Sequence, residues 1–318
     1  MHTRALAGVL LATLLTGCVG QPPAPTSAPP TAPSSSAVSP TSPSGTATSP
    51  TTFPFTLADL PRIDGSTANI PLISLTIQRL TGVPAAEADN AVKTTGTPTA
   101  YRSLIGKDAD LLIVYEADAT VKAEVKESGV KLELHPIGRD ALVFFTNDSN
   151  PVTSLTTKQY RDIYTGKVAN WSQVGGSKVK IVAYQRPEES GSQALLRKYV
   201  VGTAQMAKAP TERITEEMGG IIDGVSSYAN TGNALGYSVY YYLANMYAVK
   251  GIKMLGAGGV APSKTTLADG SYPYTNDFYA VVRADEPVGS PARKVLEWLL
   301  SDQGRQAVSD AGYVATGK

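Results

Sequence analysis

Leu111-Leu112-Ile113-Val114-Tyr115 is an unbroken apolar run. A strand with one wet face alternates polar and apolar residues, so a continuous run reads as a strand covered on both faces, as where helices flank a sheet. Working outward, helices and strands alternate. Leu72, Ile73, Thr76, Ile77 and Leu80 recur at helical spacing, with Gly82 and Pro84 closing the segment. Pro98 to Ile105 reads as a short helix, and Ala119 to Ser128 as a charged helix ended by Gly129. Val130–Ile137 and Ala141–Phe145 read as two strands, Thr156–Tyr164 as a helix stopped by Gly166, Val179–Tyr184 as a strand and Ser192–Val201 as a helix. Ser290 and Pro291 form an N-cap and first-turn pair ahead of Val295, Leu296, Leu299 and Leu300. This order predicts an α/β fold with mixed, mostly parallel sheets and helices on both faces. The folded part, from about Leu57 onward, spans roughly 260 residues, more than a usual single lobe, and predicts two α/β lobes.

Composition narrows the function. The chain of 318 residues is 42% apolar and 17% charged, with 28 Lys+Arg against 27 Asp+Glu and a net charge of +1. A nucleic-acid binder would show a basic excess or stripe, so none is expected as a partner. Two histidines and one cysteine rule out a Cys/His zinc site and any disulfide within the chain. No Gly-x-Ser-x-Gly elbow occurs, and Gly256-Ala257-Gly258-Gly259 lacks the spacing of a dinucleotide loop and reads as a turn. Tyr240, Tyr241 and Tyr242 read as core packing, and His135 as a structural residue at a strand end. The expectation is a binding protein, with no catalytic residue, metal or cofactor.

Residues 1–17 read as a secretory address. The apolar run Ala5–Leu15 is about eleven residues long, short of the roughly 18 needed to cross a bilayer. It ends in Leu15-Thr16-Gly17-Cys18, which resembles the lipobox of bacterial lipoproteins. That resemblance implies cleavage before Cys18, lipidation of Cys18 and a cell-surface protein held to the membrane by lipid. The alternative is an ordinary secretory signal with a chance cysteine. Residues 18–55 follow as a Pro/Ser/Thr-rich tether, and no charged residue occurs between Arg4 and Asp59. Such a stretch has too little apolar surface to fold and is expected to be disordered; extended, it reaches on the order of 100 Å.

Ligands of doubly wound folds bind where strands hand over to helices. Two junctions have the chemistry. In Asp64-Gly65-Ser66-Thr67-Ala68, glycine permits close approach, hydroxyls donate, and a following helix offers unpaired N–H groups to an anion. In Arg186-Pro187-Glu188-Glu189-Ser190-Gly191-Ser192-Gln193, the arginine brings a forked donor, Glu188 stands where it can orient that arginine, and a helix opens at Ser192. Each is also compatible with a capped helix and nothing more. A looser cluster, Thr94 to Thr99 around Gly96, offers another hydroxyl.

Taken in order, a larger set of segments is specific. Pro136-Ile137-Gly138-Arg139-Asp140-Ala141-Leu142-Val143-Phe144-Phe145-Thr146-Asn147, Asn150-Pro151-Val152, Ile163-Tyr164-Thr165-Gly166, Asn170-Trp171, the arginine loop, Ala234-Leu235-Gly236-Tyr237, Ser271-Tyr272-Pro273 and Gly312-Tyr313-Val314 run through nearly all of the folded part. Together they resemble the phosphate-binding proteins of bacterial phosphate ABC transporters, in the type II periplasmic-binding-protein superfamily. The resemblance implies a two-lobed fold with two crossover hinge strands, one near His135–Thr146 and one between Tyr272 and Val282. Lobe 1 would hold about 56–140 and 277–318, and lobe 2 about 141–276. It implies a monomer that captures phosphate or a similar oxyanion outside the cytoplasm and passes it to an ABC permease. The ligand contacts fall on Ser66, Thr67, Ala68, Thr97, Arg186, Ser190, Gly191 and Ser192, with Glu188 supporting the arginine. One position departs. The family has an aspartate just after the strand ending here at Val114, which accepts a proton from phosphate. This chain has Tyr115-Glu116, so Glu116 is the candidate stand-in and Tyr115 the alternative. Two rival functions share the fold: a surface sensor or adhesion module without transport, and a phosphomonoesterase.

Overall fold

The computed structural model describes residues 54–209, 218–227, 232–247 and 249–316. The signal segment, Cys18 and nearly all of the tether lie outside the described residues. In chain order the elements are β1 (Ile63–Gly65), α1 (Ile70–Thr81), α2 (Ala85–Ala91), α3 (Thr97–Ile105), β2 (Leu111–Tyr115), α4 (Ala119–Glu127), β3 (Leu132–Asn147), β4 (Ser154–Leu155), α5 (Thr157–Tyr164), β5 (Val182–Ala183), α6 (Gly191–Leu196), α7 (Met218–Ser227), β6 (Ala234–Val239), β7 (Ile252–Ala257), α8 (Lys264–Ala268), β8 (Thr275–Arg283), α9 (Pro291–Leu300), α10 (Asp302–Asp310) and β9 (Val314–Ala315).

Local rules account for most boundaries. Helix α1 buries Leu72, Ile73, Thr76, Ile77 and Leu80 and ends at Gly82, whose left-handed φ of 74° caps it. Thr156 starts α5 with a capping box to Gln159, and the Ser290 hydroxyl accepts from the Arg293 amide at α9. All residues of β2 are buried, with β1 on one side and β8 on the other.

The sheet is mixed, as expected, but its balance differs from the expected one. Among the described residues, parallel pairing is confined to β1–β2, β4–β7 and β5–β6. Strand β3 runs antiparallel to β6, β7, β8 and β9, and β2 antiparallel to β8. The cause is β3 itself. The two strands expected over 130–145 are one strand of 16 residues. The polar stretch Gly138-Arg139-Asp140, which looks like a break, is paired opposite Phe278, Asp277 and Asn276. Its polar groups are accommodated: Arg139 turns outward to Asp277 at 3.4 Å, and a register shift between Pro136 and Gly138 absorbs the proline. The strand expected over 179–184 shortens to Val182–Ala183, because only those residues pair with β6. His135 is half-buried inside β3, opposite Ala280, rather than at a strand end.

Residues 132–141 of β3 pair with β8, and residues 142–147 pair with β6 and β7. The chain returns beside this exchange, where the Leu142 amide donates to the Tyr274 carbonyl at 3.1 Å. Phe144, on the second half, stacks on Tyr160 at 3.8 Å and meets Tyr164, Tyr237 and Tyr274 in one aromatic cluster. Tyr241 is buried and stacks on Tyr313 at 3.6 Å, in keeping with a packing role.

Asp140 sits at the exchange, 1% exposed. It accepts from the Ala141 amide at 2.7 Å, the Tyr241 amide at 3.0 Å and the Tyr115 hydroxyl at 2.5 Å. Burial raises its pKa from 3.8 to about 6 against the lowering effect of those hydrogen bonds. The folded chain therefore holds this proton more tightly than the unfolded chain does. The stability it contributes is full below about pH 4 and is lost as pH rises through about 6, a change of at most about 3 kcal/mol. Asp140→Asn is expected to remove that decline. Denaturant midpoints of both proteins at about pH 4 and about pH 7 check it, and parallel pH profiles would contradict it.

Candidate functional site

The first wall grows from the end of β1. The Asp64 carboxylate, 7% exposed, accepts from the Gly65 amide at 2.7 Å and the Thr95 amide at 2.8 Å. The Thr95 hydroxyl donates to it at 2.7 Å, so one buried acid joins the 64–68 turn to the 94–97 turn. Gly65 lies so close to β2 that a Cβ there would sit 2.2 Å from the Ile113 carbonyl oxygen. Only glycine lets the chain turn at this point. The Ser66 hydroxyl then comes within 2.8 Å of the Thr97 hydroxyl and accepts from the Tyr115 amide at 3.2 Å. Thr97 opens α3, and Thr67 opens the turn that leads into α1. Unpaired helix-start amides and the positive dipole end of α3 thus belong to this wall.

The second wall is the loop between β5 and α6. Arg186 is buried, and its amide donates to the Tyr237 hydroxyl at 2.8 Å. That hydroxyl donates in turn to the Gln193 side-chain oxygen. Gln193 donates to Glu188 at 3.1 Å, and Arg197 donates twice to Glu188, at 2.7 and 3.0 Å. The Arg197 hydrogen bond is the main reason the Glu188 carboxyl lies below its ordinary range. Glu188 braces the loop through Gln193 and Tyr237, with Arg197 on the same helical segment taking its carboxylate. The Ser190 hydroxyl caps α6 by accepting from the Gln193 amide at 3.2 Å. Ser192 is 1% exposed, and its hydroxyl has no hydrogen-bond partner among the described residues. A buried hydroxyl left so is costly and marks a place where a polar group belongs.

The two walls face each other across one cleft of about 1100 Å³, lined by Ser66, Thr67, Thr97, Tyr115, Arg186, Glu188, Ser190, Gly191 and Ser192. They come close at Gly191, where a Cβ would lie 2.9 Å from the Thr97 hydroxyl oxygen. Ion pairs flank the mouth, with Arg102 at 3.0 Å from Glu189 and Lys198 at 2.6 Å from Glu116.

Ala68, expected to offer its backbone amide, is buried in the first wall, and its carbonyl accepts from the Tyr313 hydroxyl. One expected site residue is placed elsewhere. Glu116 lines a neighbouring hollow and is held by Lys122 at 2.5 Å and Lys198 at 2.6 Å. Burial would raise its pKa, but the two lysines outweigh it and hold the carboxyl below its ordinary range. Tyr115 lines the cleft instead, because the strand ends there and the next residue turns toward α4 and the lysines. Sequence reasoning gave no separate role to Asp64, Tyr237, Gln193 or Asp140, although each stands in a quoted segment, because each acts through a partner at least 25 positions away.

A family model described as a PBP superfamily domain matches residues 34–303. The "Phosphate-binding protein PstS" of Bacillus subtilis (strain 168) is 28% identical over 255 residues, 79% of this chain and 79% of that protein. The protein of the same name from Borreliella burgdorferi is 24% identical over 260 residues, 79% of this chain and 88% of its own length. Among solved structures, a phosphate ABC transporter substrate-binding protein of Clostridium perfringens with bound phosphate has a TM-score of 0.63 at 22% identity, covering 80% of this chain and 99% of that one.

The contact between the walls can be trapped. A Cβ at Gly191 would stand 3.7 Å from the Thr97 Cβ, inside the roughly 3.5–4.5 Å that a disulfide spans. The double variant Thr97→Cys with Gly191→Cys is expected to cross-link under mild oxidation, read by mass spectrometry of the peptide pair. Two free thiols after oxidation would mean that the walls do not meet.

Proposed function

The chain belongs to the PBP superfamily, and from that premise we propose that it is an extracytoplasmic solute-binding protein that captures phosphate in the cleft and delivers it to an ABC permease. Phosphate is the ligand named for the relatives in Bacillus subtilis and Borreliella burgdorferi. The observation that carries the reading to this chain is the meeting around one hollow of Ser66, Thr97, Arg186 and Ser192, whose buried hydroxyl has no partner among the described residues.

The energetics are adequate. Taking an anion out of water costs several kcal/mol after relaxation. Each hydrogen bond to a charged group returns roughly 1.5–3 kcal/mol. Six or so such bonds, from hydroxyls, helix-start amides and one guanidinium, leave a surplus compatible with micromolar binding, about −8 kcal/mol. A net charge of +1 is no obstacle, because the field that matters is local.

In this reading Ser66, Thr67, Thr97, Arg186, Ser190, Gly191 and Ser192 contact the ion. Residues 56–140 with 277–318 form one lobe, residues 141–276 the other, and closure of the two buries the ion. Cys18 carries the lipid anchor, and 18–55 is the tether that lets the domain reach its permease. The protein turns over no substrate.

Titration calorimetry of the full chain with inorganic phosphate is the test. Arg186→Ala is expected to weaken binding at least about 100-fold, some 2.7 kcal/mol, with an unchanged circular dichroism spectrum. Undiminished affinity in the variant would remove Arg186 from the site. Absence of binding by the wild type would overturn the reading.

A further inference from the structure

The cleft is larger than an inorganic ion needs. It holds about 1100 Å³, the size of pockets that take whole organic molecules, whereas a water occupies about 30 Å³ and a phosphate ion only a few times that. The room does not come from walls standing apart. They already come close at Gly191 and Thr97, and ion pairs join Arg102 of α3 to Glu189 of the arginine loop and Glu116 to Lys198. The spare room also has its own lining. Gly219, Gly220 and Asp223 of α7, with Tyr242 and Tyr247 from beyond β6, border the same cleft as the residues of the two walls.

That third side has the opposite chemistry to the two walls. The Tyr247 hydroxyl donates to the Asp223 carboxylate at 2.7 Å, and the Tyr247 ring lies 5.8 Å from that of Tyr242, within 16° of parallel. A Cβ on Gly219 would stand 3.2 Å from the Tyr247 ring, so this glycine lets the ring lie against α7. Asp223 is exposed and Tyr247 half-buried, so a ligand in the cleft can reach both. A carboxylate has about four acceptor positions, and the tyrosine uses one of them. An acid here repels a second oxyanion and suits hydroxyl or ammonium donors, while a tyrosine ring packs against carbon. We propose that the cleft takes a phosphate monoester. Its phosphoryl group is held by Ser66, Thr97, Arg186 and Ser192, and its organic part, a short carbon chain bearing hydroxyl or amine donors, by Tyr247 and Asp223. The proposal rests on the phosphate-binding reading above and adds an organic group to the ligand. A site closed round all four oxygens would exclude an ester, but the continuity of this cleft from Ser192 to Asp223 gives the ester oxygen a way out.

The experiment is calorimetric titration of the full chain with inorganic phosphate, methyl phosphate and glycerol 3-phosphate in turn. Glycerol 3-phosphate is expected to bind at least as tightly as inorganic phosphate, and methyl phosphate, which has no hydroxyl on its carbon, more weakly than glycerol 3-phosphate. Tyr247→Ala and Asp223→Asn should each weaken glycerol 3-phosphate about tenfold or more and leave inorganic phosphate within about twofold. An unchanged circular dichroism spectrum shows that the variants fold. Glycerol 3-phosphate binding more weakly than inorganic phosphate would overturn the proposal and leave the phosphate site standing. Variants that weaken both ligands alike, or neither, would also overturn it. If none of the three ligands binds, the proposal and the phosphate-binding reading fall together. Should the variants fail to fold, the order of the three wild-type affinities decides: inorganic phosphate first contradicts the ester.

Discussion

Strand β3 pairs with β8 over its first half and with β6 and β7 over its second, so it must exchange partners within one residue step at Ala141–Leu142. The architecture around the cleft takes its positions from that step. Strands β1 and β2 reach the exchange by way of β8 and bring the 64–68 and 94–97 turns. Strands β6 and β5 reach it from the other half and bring the arginine loop. A strand of 16 residues held by partners on both edges is stiff, and the Phe144 cluster packs its second half from one face. Two loops separated by about 120 positions in sequence are thereby fixed opposite one another.

An anion site in a nearly neutral chain depends on arrangement more than on net charge. The acidic residues near the cleft are engaged. Glu188 is tied to Arg197, Glu189 to Arg102, and Asp223 to the Tyr247 hydroxyl. Asp64 is turned inward to hold two turns together. The groups that face the hollow are thus mostly donors, fixed before a ligand arrives, and little reorganisation is needed on binding. The Ser192 hydroxyl shows the other side of this arrangement, since a buried donor without a partner among the described residues is a cost that a polar guest relieves.

The sequence is legible where structure is set locally. The buried run Leu111–Tyr115, the glycine stop of α1, the capping box of α5 and the serine cap of α9 all follow from a few adjacent residues. The Gly-Ser-Thr turn and the Arg186 loop are legible as candidates for a similar reason, since hydroxyls and glycine next to a helix start suit either a cap or an anion. The continuity of β3 was not. Gly138-Arg139-Asp140 looks like a break unless it is known that β8, about 138 positions away, pairs across it. The role of Glu116 was misread because acidity alone does not say which way a side chain leaves a strand end, and two lysines from α4 and the 197–201 turn claim it. Asp140 gave no signal, because its partners come from β2 and from beyond the end of β6.

The central claim is that Ser66 and Thr97 on one side, and Arg186 with Ser192 on the other, hold the same ion. A crystal structure of the protein grown with inorganic phosphate measures this directly. The account predicts one tetrahedral density within hydrogen-bond distance of both walls, with the Ser192 hydroxyl among its partners. Density bound to one wall alone, or an ion lodged outside the cleft while the cleft holds only water, would contradict it.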